Sequence, residues 1–280
     1  MNVIDCIKDA LKEDIQSGDV TTQLLLPNER QVRASITAKA HGVFFGKPII
    51  HEMQQLYPSI QFNLNINDGD KVSPGDECLT LSGDIRIIVQ IERTLLNFLQ
   101  RLSGVASITR QFVDALGDTS IQILDTRKTT PLLRQLEKQA VLAGGGFNHR
   151  HGLYDMVLVK ENHLISYIDD YGIEAFNETI RQFKSNQPTM HIEVEVGNLM
   201  LLKTLDLTLI DIVMFDNMTM TDLDQCIQWV NSIEKRPLKE VSGGINLDTI
   251  KQYRGIDIDR ISVGSLTHSV QALDLSLLVK

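Results

Sequence analysis

Cysteine, long apolar runs and an excess of basic residues are what this sequence lacks. Its three cysteines, Cys6, Cys78 and Cys226, lie far apart and form no C-x-x-C pair. This spacing argues against a disulfide framework and against a structural zinc site, and it predicts buried, inert thiols. No apolar run approaches the roughly 20 residues that a membrane-spanning helix needs. The amphipathic, acid-containing start over residues 1–15 differs from a secretory signal peptide. We therefore expect a soluble, cytoplasmic protein.

The charge balance excludes two further classes of partner. The 27 Lys and Arg residues against 36 Asp and Glu residues give a net charge of −9, and no basic run is present. Such a chain is a poor ligand for nucleic acids and for anionic membranes, so we expect neither as a partner. Its 280 residues and 42% hydrophobic content are enough for about two domains with sizeable cores.

The first hundred residues are rich in strand and turn signals. Segments 31–46 and 60–66 carry the alternating or branched apolar residues that are typical of strands. Segment 67–85 contains Asp-Gly, Pro-Gly and Ser-Gly pairs, which predict tight turns between short strands. These turns fit either a lipoyl-type sandwich or a plain pair of hairpins.

A long helix is predicted over roughly residues 86–115. Its apolar residues recur at intervals of three and four and form one buried stripe, made of Ile88, Ile91, Leu95, Leu99 and Leu102. Arg93, Asn97 and Arg101 lie at i, i+4 and i+8 on another face. From spacing alone, a solvated surface is the simplest interpretation of that face.

From residue 121 onward, strand and helix signals alternate. Six branched, apolar runs end in polar or glycine residues: IQILDTRK, MVLVKENH, HIEVEV, IDIVMFDN, KEVSGGI and DRISVGS. Amphipathic stretches near 171–184, 198–207, 219–234 and 246–253 are predicted helices. The alternation predicts a parallel sheet covered by helices. We expect an incomplete (β/α) barrel, because six strands are too few for eight and no G-x-G-x-x-G follows the first strand.

The carboxyl ends of these strands collect charged and glycine residues. In such barrels the active site lies at this edge, so we expect the residues there to form one ring. They are Thr126, Arg127, Lys128, Lys160, Glu195, Asp216, Ser242, Gly243, Gly244, Gly264 and Ser265, with His149 and Arg150 from the loop GGGFNHRHG. Segment 125–163 holds six Lys or Arg, four acids and three histidines. This local excess of positive charge suits a small ligand with several negative charges.

Two strand ends carry glycines of the kind that can bind phosphate. Ser242-Gly243-Gly244 precedes Asn246, a good N-cap, and Gly264-Ser265 ends the last barrel strand. Backbone amides without a Cβ in the way can bind phosphate oxygens, and the last two strands are where barrels often bind phosphate.

The sequence leaves three roles open for Glu195 and Asp216. They could hold a hydrated Mg²⁺ that a phosphorylated substrate carries, bond ribose hydroxyls, or pair with nearby lysines. The stretch TTPLLRQLEK predicts a helix with Thr130 as N-cap and Pro131 at its first position. On that helix we expect Glu137 to pair with its neighbours at 134 and 138.

Together these motifs resemble the quinolinate phosphoribosyltransferases, the carboxylating nicotinate-nucleotide pyrophosphorylases. The likeness runs in order from GDVTT at 18–22 to His268, and its most specific block is DTRKTTPLLRQLEKQAVLAGGGFNHRHGLYDMVLVKENH at 125–163. Two departures are small: Glu161 follows Lys160 where the family usually has Asp, and Phe215 stands where Leu is common.

The resemblance implies a fold and an assembly. An N-terminal α/β sandwich would span residues 1–105 with the tail 271–280, and an incomplete (β/α) barrel carrying the active site would span 106–270. The family is homodimeric, with the sandwich domain of one subunit over the barrel mouth of the other. Arg93 would then reach into the partner's site.

The resemblance also implies a reaction and roles. The family joins quinolinate to phosphoribosyl pyrophosphate (PRPP), with Mg²⁺, and releases pyrophosphate and CO₂ to give nicotinate mononucleotide in NAD biosynthesis. Residues implied for quinolinate are Arg93, Thr126, Arg127, His149, Arg150 and Lys160. Residues implied for PRPP are Lys128, Glu195, Asp216, Ser242, Gly243, Gly244, Gly264, Ser265 and His268. Catalytic roles would fall to Lys128, Lys160, Glu195 and Asp216, with Mg²⁺ near the last two.

Three other functions stay open on the sequence. The first is that of a paralogue linked to molybdenum transport, against which the full TRKTTP, GGGFNHR and SGG set argues. The second is a barrel aldolase with Lys160 as Schiff-base nucleophile. The third is a non-catalytic ligand-binding protein, which the intact charged ring disfavours.

Overall fold

The computed structural model describes residues 2–280. The helices are α1 (Val3–Ile15), α2 (Val20–Leu25), α3 (Lys47–Leu56), α4 (Ile85–Leu116), α5 (Arg134–Ala143), α6 (Glu161–Tyr171), α7 (Ile173–Asn186), α8 (Leu199–Thr204), α9 (Met220–Asn231) and α10 (Ser265–His268). The strands are β1 (Gln31–Ala38), β2 (Gly42–Val43), β3 (Gln61–Leu64), β4 (Lys71–Val72), β5 (Glu77–Asp84), β6 (Gln122–Leu124), β7 (Val157–Val159), β8 (Ile192–Val196), β9 (Ile212–Asp216), β10 (Leu238–Ser242), β11 (Arg260–Ser262) and β12 (Leu275–Val279). None of the helices within residues 2–280 combines the length and the apolar character that crossing a bilayer requires.

The chain divides into two compact units. The first contains residues 1–111, 128–146 and 265–280, and the second contains 112–127 and 147–264. The domain border predicted at residue 105 stays a prediction. By compactness, however, the segment that carries Lys128 and the segment that carries His268 both group with the N-terminal residues.

The first unit is built on an antiparallel sheet. Its strand order is β12-β1-β5-β3, so the last residues of the chain add an edge strand beside β1. These strands confirm the predictions for 31–46 and 60–66. Helix α4 confirms the predicted long helix, and all five residues of its apolar stripe have no exposed surface. Burial of such a stripe is what stabilises a helix of this kind, at about 2 kcal/mol for each large apolar side chain.

The second unit contains a parallel sheet of six strands in the order β6-β11-β10-β9-β8-β7. All six predicted barrel strands are present, and every neighbouring pair is parallel. Strands β6 and β7, consecutive along the chain, are the two edges. A single parallel bridge joins Leu124 to Phe147 beyond β6. The sheet therefore follows the chain order of a barrel but is not closed, in agreement with the predicted incomplete barrel.

Two helix predictions differ from the structure. Segment 246–253 ends in a short 3₁₀ turn at Ile250–Tyr253, although the Asn246 side chain does accept the amides of Asp248 and Thr249. Helix α5 begins at residue 134, because Leu132 has a φ of +69° that breaks helical geometry after Pro131. Thr130 is therefore not the N-cap of this helix.

A cluster of buried charges lies inside the second unit. The fully buried carboxylates of Glu193 and Glu240 lie 3.1 and 3.3 Å from Nε2 of His149. Arg260 lies 4.0 Å from Glu240. Burial alone would lower the pKa of His149, but the two carboxylates outweigh it and raise this pKa to about 9. Burial also raises the pKa of Glu193. Because these groups titrate together, the cluster as a whole keeps an extra proton at neutral pH.

The free energy of unfolding is expected to fall as the pH rises from 6.5, the ordinary pKa of histidine, to about 9. A group whose pKa is raised by folding stabilises the fold fully below its unfolded pKa. This stabilisation is lost as the pH rises through the folded pKa. The shift corresponds to about 3 kcal/mol. Denaturant unfolding at intervals across this pH range measures it.

The double substitution Glu193→Gln with Glu240→Gln should remove most of this slope while keeping the side-chain volume. His191→Gln changes a mostly exposed histidine and is the control, with an unchanged slope expected. A slope that survives in the double variant would place its origin outside the cluster.

Candidate active site

The second unit places its predicted site residues at one edge of the parallel sheet. Thr126 and Arg127 follow β6, and Lys160 follows β7. Asp216 ends β9 and Ser242 ends β10, and the two residues are partners in the parallel register. Because neighbouring strands are parallel, their carboxyl ends share an edge. The expectation that these residues come from strand ends is therefore met for this unit.

Arg127 and Arg150 are close enough for their charges to act on each other. Burial lowers the pKa of Arg150, and the charge of Arg127 lowers it further, whereas Glu193 and Asp155 act in the opposite direction. A guanidinium hydrogen bond, from Nη1 of Arg150 to the carbonyl of Met156 over 3.2 Å, fixes the side chain. Two half-buried guanidinium groups whose charges act on each other favour an anionic ligand, since its charge offsets their repulsion.

A second group joins Glu195, Asp216 and Lys160. Burial raises the pKa of Glu195, the charge of Asp216 raises it further, and Lys160 lowers it. Asn217, in left-handed backbone conformation with a φ of +53°, donates from its side-chain amide to Asp216 over 2.7 Å. Two carboxylates that raise each other's energy are suited to a hard divalent cation, so this donor set fits Mg²⁺.

His149 has both ring nitrogens engaged within the protein. The amide of Arg150 donates to Nδ1 over 2.8 Å, and Nε2 faces Glu193 and Glu240. The amide of His149 itself donates to the fully buried Asp125 over 2.9 Å. Because the Arg150 amide donates to Nδ1, the ring hydrogen of His149 is on Nε2, where it faces the two carboxylates. The predicted contact of His149 with substrate stays a prediction.

The Ser-Gly-Gly turn after β10 adopts backbone conformations that favour glycine. Gly243 and Gly244 have φ values of +93° and +63°, which favour glycine. A Cβ on Gly243 would lie 2.2 Å from the side-chain oxygen of Asn217, whereas the space beside Gly244 is open. The backbone at Gly244 is thus accessible to a ligand. Gly264 belongs to this unit as well, two residues after the last barrel strand.

The first unit holds the other predicted site residues. Arg93 is exposed on α4. Lys128 is also exposed, and its own backbone carbonyl accepts the Thr267 hydroxyl over 2.7 Å. At α10, the buried hydroxyl oxygen of Ser265 has no hydrogen-bond partner among residues 2–280. His268 is exposed, and its Nδ1 lies 2.6 Å from the hydroxyl of Ser269.

Several buried charged residues near the predicted site residues were not predicted from the sequence. Glu193 and Glu240 each stand two positions before a predicted site residue, so the two-residue period of a strand puts them on the same face. A carboxylate inside an otherwise apolar strand was the signal. The expected surface pairing of Glu137 is wrong, because this residue is fully buried and accepts from Arg101. Arg101 likewise does not lie on a freely solvated face.

The cysteine prediction is largely confirmed. Cys78 and Cys226 are buried and Cys6 is half-buried, and all three are free thiols. Burial raises the pKa of each one. A raised thiol pKa disfavours the reactive thiolate, so none of the three is a good nucleophile.

Comparison with known proteins covers nearly the whole chain. The N-terminal domain model of quinolinate phosphoribosyl transferase matches residues 19–103, and its C-terminal domain model matches residues 105–278. The probable nicotinate-nucleotide pyrophosphorylase [carboxylating] of Bacillus subtilis is 40% identical over 266 residues, which are 95% of this chain and 89% of that protein. The Mycobacterium leprae nicotinate-nucleotide pyrophosphorylase [carboxylating] is 33% identical over 277 residues, covering 98% and 95%.

A solved structure agrees with these matches. The nicotinate-nucleotide pyrophosphorylase of Francisella tularensis superposes with a TM-score of 0.88 at 35% identity, covering 99% of this chain and 96% of that one. The two domain models, the relatives and this structure all extend over both units. The chain therefore belongs to the quinolinate phosphoribosyltransferase family.

Proposed function

We propose that this chain transfers the phosphoribosyl group of PRPP to quinolinate with loss of CO₂, giving nicotinate mononucleotide and pyrophosphate in NAD biosynthesis. The observation that carries the proposal is the charge arrangement at the strand ends of the second unit. The positive charge of Arg127 acts on Arg150. The negative charge of Asp216 and the positive charge of Lys160 act on Glu195. Quinolinate is a dianion, and PRPP is a polyanion with ribose hydroxyls. The names of the relatives point to the same reaction.

The positive group is assigned to quinolinate. Arg127, Arg150 and Lys160 bind its two carboxylates, because guanidinium groups grip carboxylates through two parallel hydrogen bonds. Thr126 adds a hydroxyl at the end of the same strand. His149 belongs to this pocket through the amide of Arg150, which it accepts over 2.8 Å.

The phosphates of PRPP are assigned to the glycine turns and to the first-unit residues. Ser242, Gly243, Gly244 and Gly264 offer backbone amides and a hydroxyl to the 5′-phosphate. By resemblance to the family, Ser265 and His268 of the first unit are also assigned to PRPP. Lys128 contacts the departing pyrophosphate. Glu195 and Asp216 orient the ribose hydroxyls and hold Mg²⁺, which supplies charge neutralisation for the pyrophosphate when it is bound.

The chemistry follows from these contacts. The pyridine nitrogen has a free lone pair, so the protein supplies positioning rather than a general base for its attack on the anomeric carbon. The bond from that carbon to the pyrophosphate oxygen breaks as positive charge builds on the sugar. When the adjacent carboxylate leaves as CO₂, the electron pair of the broken bond stays on the ring carbon, and the positive charge of the new pyridinium stabilises this carbanion. A proton then takes the place of the CO₂, and no decarboxylation cofactor is needed.

A homodimer in a cytoplasmic setting completes the proposal. Arg93 is exposed on α4, so a second copy of the chain can be contacted by its side chain. We assign it to the quinolinate carboxylates of the partner's site. The acidic net charge of −9 favours small-molecule partners over nucleic acids.

The decisive experiment is a pyrophosphate-release assay with PRPP, Mg²⁺ and one pyridine carboxylic acid at a time. Release with quinolinate, accompanied by CO₂, is expected, together with much slower release for acids that lack the second carboxylate. Absence of release with quinolinate would overturn the proposal. Borohydride trapping of a carbonyl substrate on Lys160 would instead support the aldolase alternative.

Lys128→Ala is expected to lower kcat by roughly 10²–10³, the usual loss for one group that stabilises transition-state charge. Its side chain is exposed, so the fold should tolerate the change. Lys235→Ala, at another exposed lysine, is the control and should keep wild-type turnover. Turnover by Lys128→Ala equal to wild type would remove Lys128 from the mechanism.

Mixing Arg93→Ala subunits with Lys160→Ala subunits should restore activity that neither variant has alone. In a mixed dimer with a shared site, one of the two sites contains both native residues and the other contains neither. Recovery near one quarter of wild type is expected from random pairing of equal amounts. Subunit exchange, followed with differently tagged chains, must be shown in the same sample. Exchange without recovery would contradict the shared site.

A further inference from the structure

Glu137 is a fully buried carboxylate on α5, a helix that also buries Lys138 and three apolar side chains. It has no exposed surface, and Leu136, Ala140 and Val141 are the apolar buried residues of the same helix. A buried carboxylate costs several kcal/mol unless charged partners and hydrogen bonds offset that cost. Its presence therefore calls for a specific set of partners.

Four hydrogen bonds satisfy the Glu137 carboxylate. Oε1 accepts from Nη2 of Arg101 over 2.9 Å, from Nε of Arg101 over 3.2 Å and from the Thr130 hydroxyl over 2.8 Å. Oε2 accepts the backbone amide of Thr130 over 3.0 Å. One side chain thus joins α4 to the segment that follows Lys128.

Arg101 extends this network to α10. Its Nη2 donates to the carbonyl of Thr267 over 2.6 Å and also lies 3.1 Å from the Thr130 hydroxyl. Thr267 is fully buried, and its hydroxyl donates to the carbonyl of Lys128 over 2.7 Å. The backbone from the Lys128 carbonyl to Thr130 is therefore connected to the helix that carries Ser265 and His268.

The geometry of the connecting segment supports a constrained backbone. Leu132 has a φ of +69°, a conformation that costs a non-glycine residue about 1 kcal/mol or more and persists only where the surroundings enforce it. It lies between Thr130, which Glu137 holds, and the start of α5. An apolar pair in place of Arg101 and Glu137 could fill the space but could not bind a backbone amide and a backbone carbonyl.

We propose that Arg101 and Glu137 are positioning residues for PRPP binding: they hold segments 128–130 and 265–268 together, so that Lys128 and His268 meet the same ligand. The inference rests on the proposed function, which assigns both residues to PRPP. All the groups involved belong to the first unit. The quinolinate residues Arg127 and Arg150 belong to the second unit, so their affinity should respond far less.

The test compares Michaelis constants for the two substrates in Glu137→Gln. This change keeps the shape but removes the charge and turns one acceptor into a donor. KM for PRPP is expected to rise by roughly tenfold or more, as for loss of charged hydrogen bonds, and KM for quinolinate by less than about threefold. A structural role alone would lower the unfolding temperature and the amount of active enzyme without separating the two constants.

Arg101→Lys gives a second, independent variant. It keeps the positive charge but loses the planar fork that reaches Glu137 and Thr267 together. It should raise KM for PRPP in the same way, and the double variant should be no worse than the poorer single one, since both belong to one network. Arg86→Lys, at an Asp84-paired arginine on the same helix, is the matched control and should leave both constants unchanged.

Equal changes in both Michaelis constants, or no change in either, would overturn the inference while leaving the proposed function intact. If wild-type protein released no pyrophosphate at all, the proposed function would be the part that failed. Amide hydrogen exchange at Thr130 then decides whether Glu137 holds the segment. Faster exchange in Glu137→Gln than in wild type, with Arg86→Lys unchanged, supports that role, and equal exchange contradicts it.

Discussion

Compensation of positive charge by buried carboxylates is the constraint on which the site depends. Arg127 lowers the pKa of Arg150, and Glu193 raises it, so the inner carboxylate offsets repulsion between the two guanidinium groups. The same carboxylate contacts His149, whose other ring nitrogen accepts the amide of Arg150. Without an inner layer of negative charge, two half-buried cations could not share one end of a sheet at an acceptable free energy.

The first unit applies this principle to a loop. Glu137 neutralises Arg101, and together they bind an amide and a carbonyl of segments that no regular ladder satisfies. In the second unit the ion pairs fix side chains at strand ends, whereas here they fix backbone. In both units the buried charges therefore serve geometry, which is the role in which costly buried ion pairs are best understood.

The sequence predicted those parts of the structure that follow from periodicity. Six branched apolar runs gave the parallel strands, and the stripe from Ile88 to Leu102 gave α4, because burial patterns repeat along one element. Contacts between distant elements could not be predicted in the same way. The pairing of Glu137 with Arg101 spans 36 residues, and local spacing instead suggested neighbours on the helix. The late start of α5 depends on one left-handed residue, Leu132, whose type gives no such signal.

The charged residues at the strand ends differ from the buried cluster beneath them in how their charges are balanced. Inside the sheet, His149, Glu193, Glu240 and Arg260 form a set whose charges the protein itself can balance. At the edge, Arg127 opposes Arg150 while Glu193 and Asp155 act against this repulsion, and Asp216 opposes Glu195 while Lys160 acts against it. Unfavourable like-charge pairs persist only where something else gains from them. A dianionic ring beside the first pair and a cation-bearing sugar pyrophosphate beside the second would relieve both at once. Binding of ligands with these charges would therefore add to the compensation that Glu193, Asp155 and Lys160 already provide.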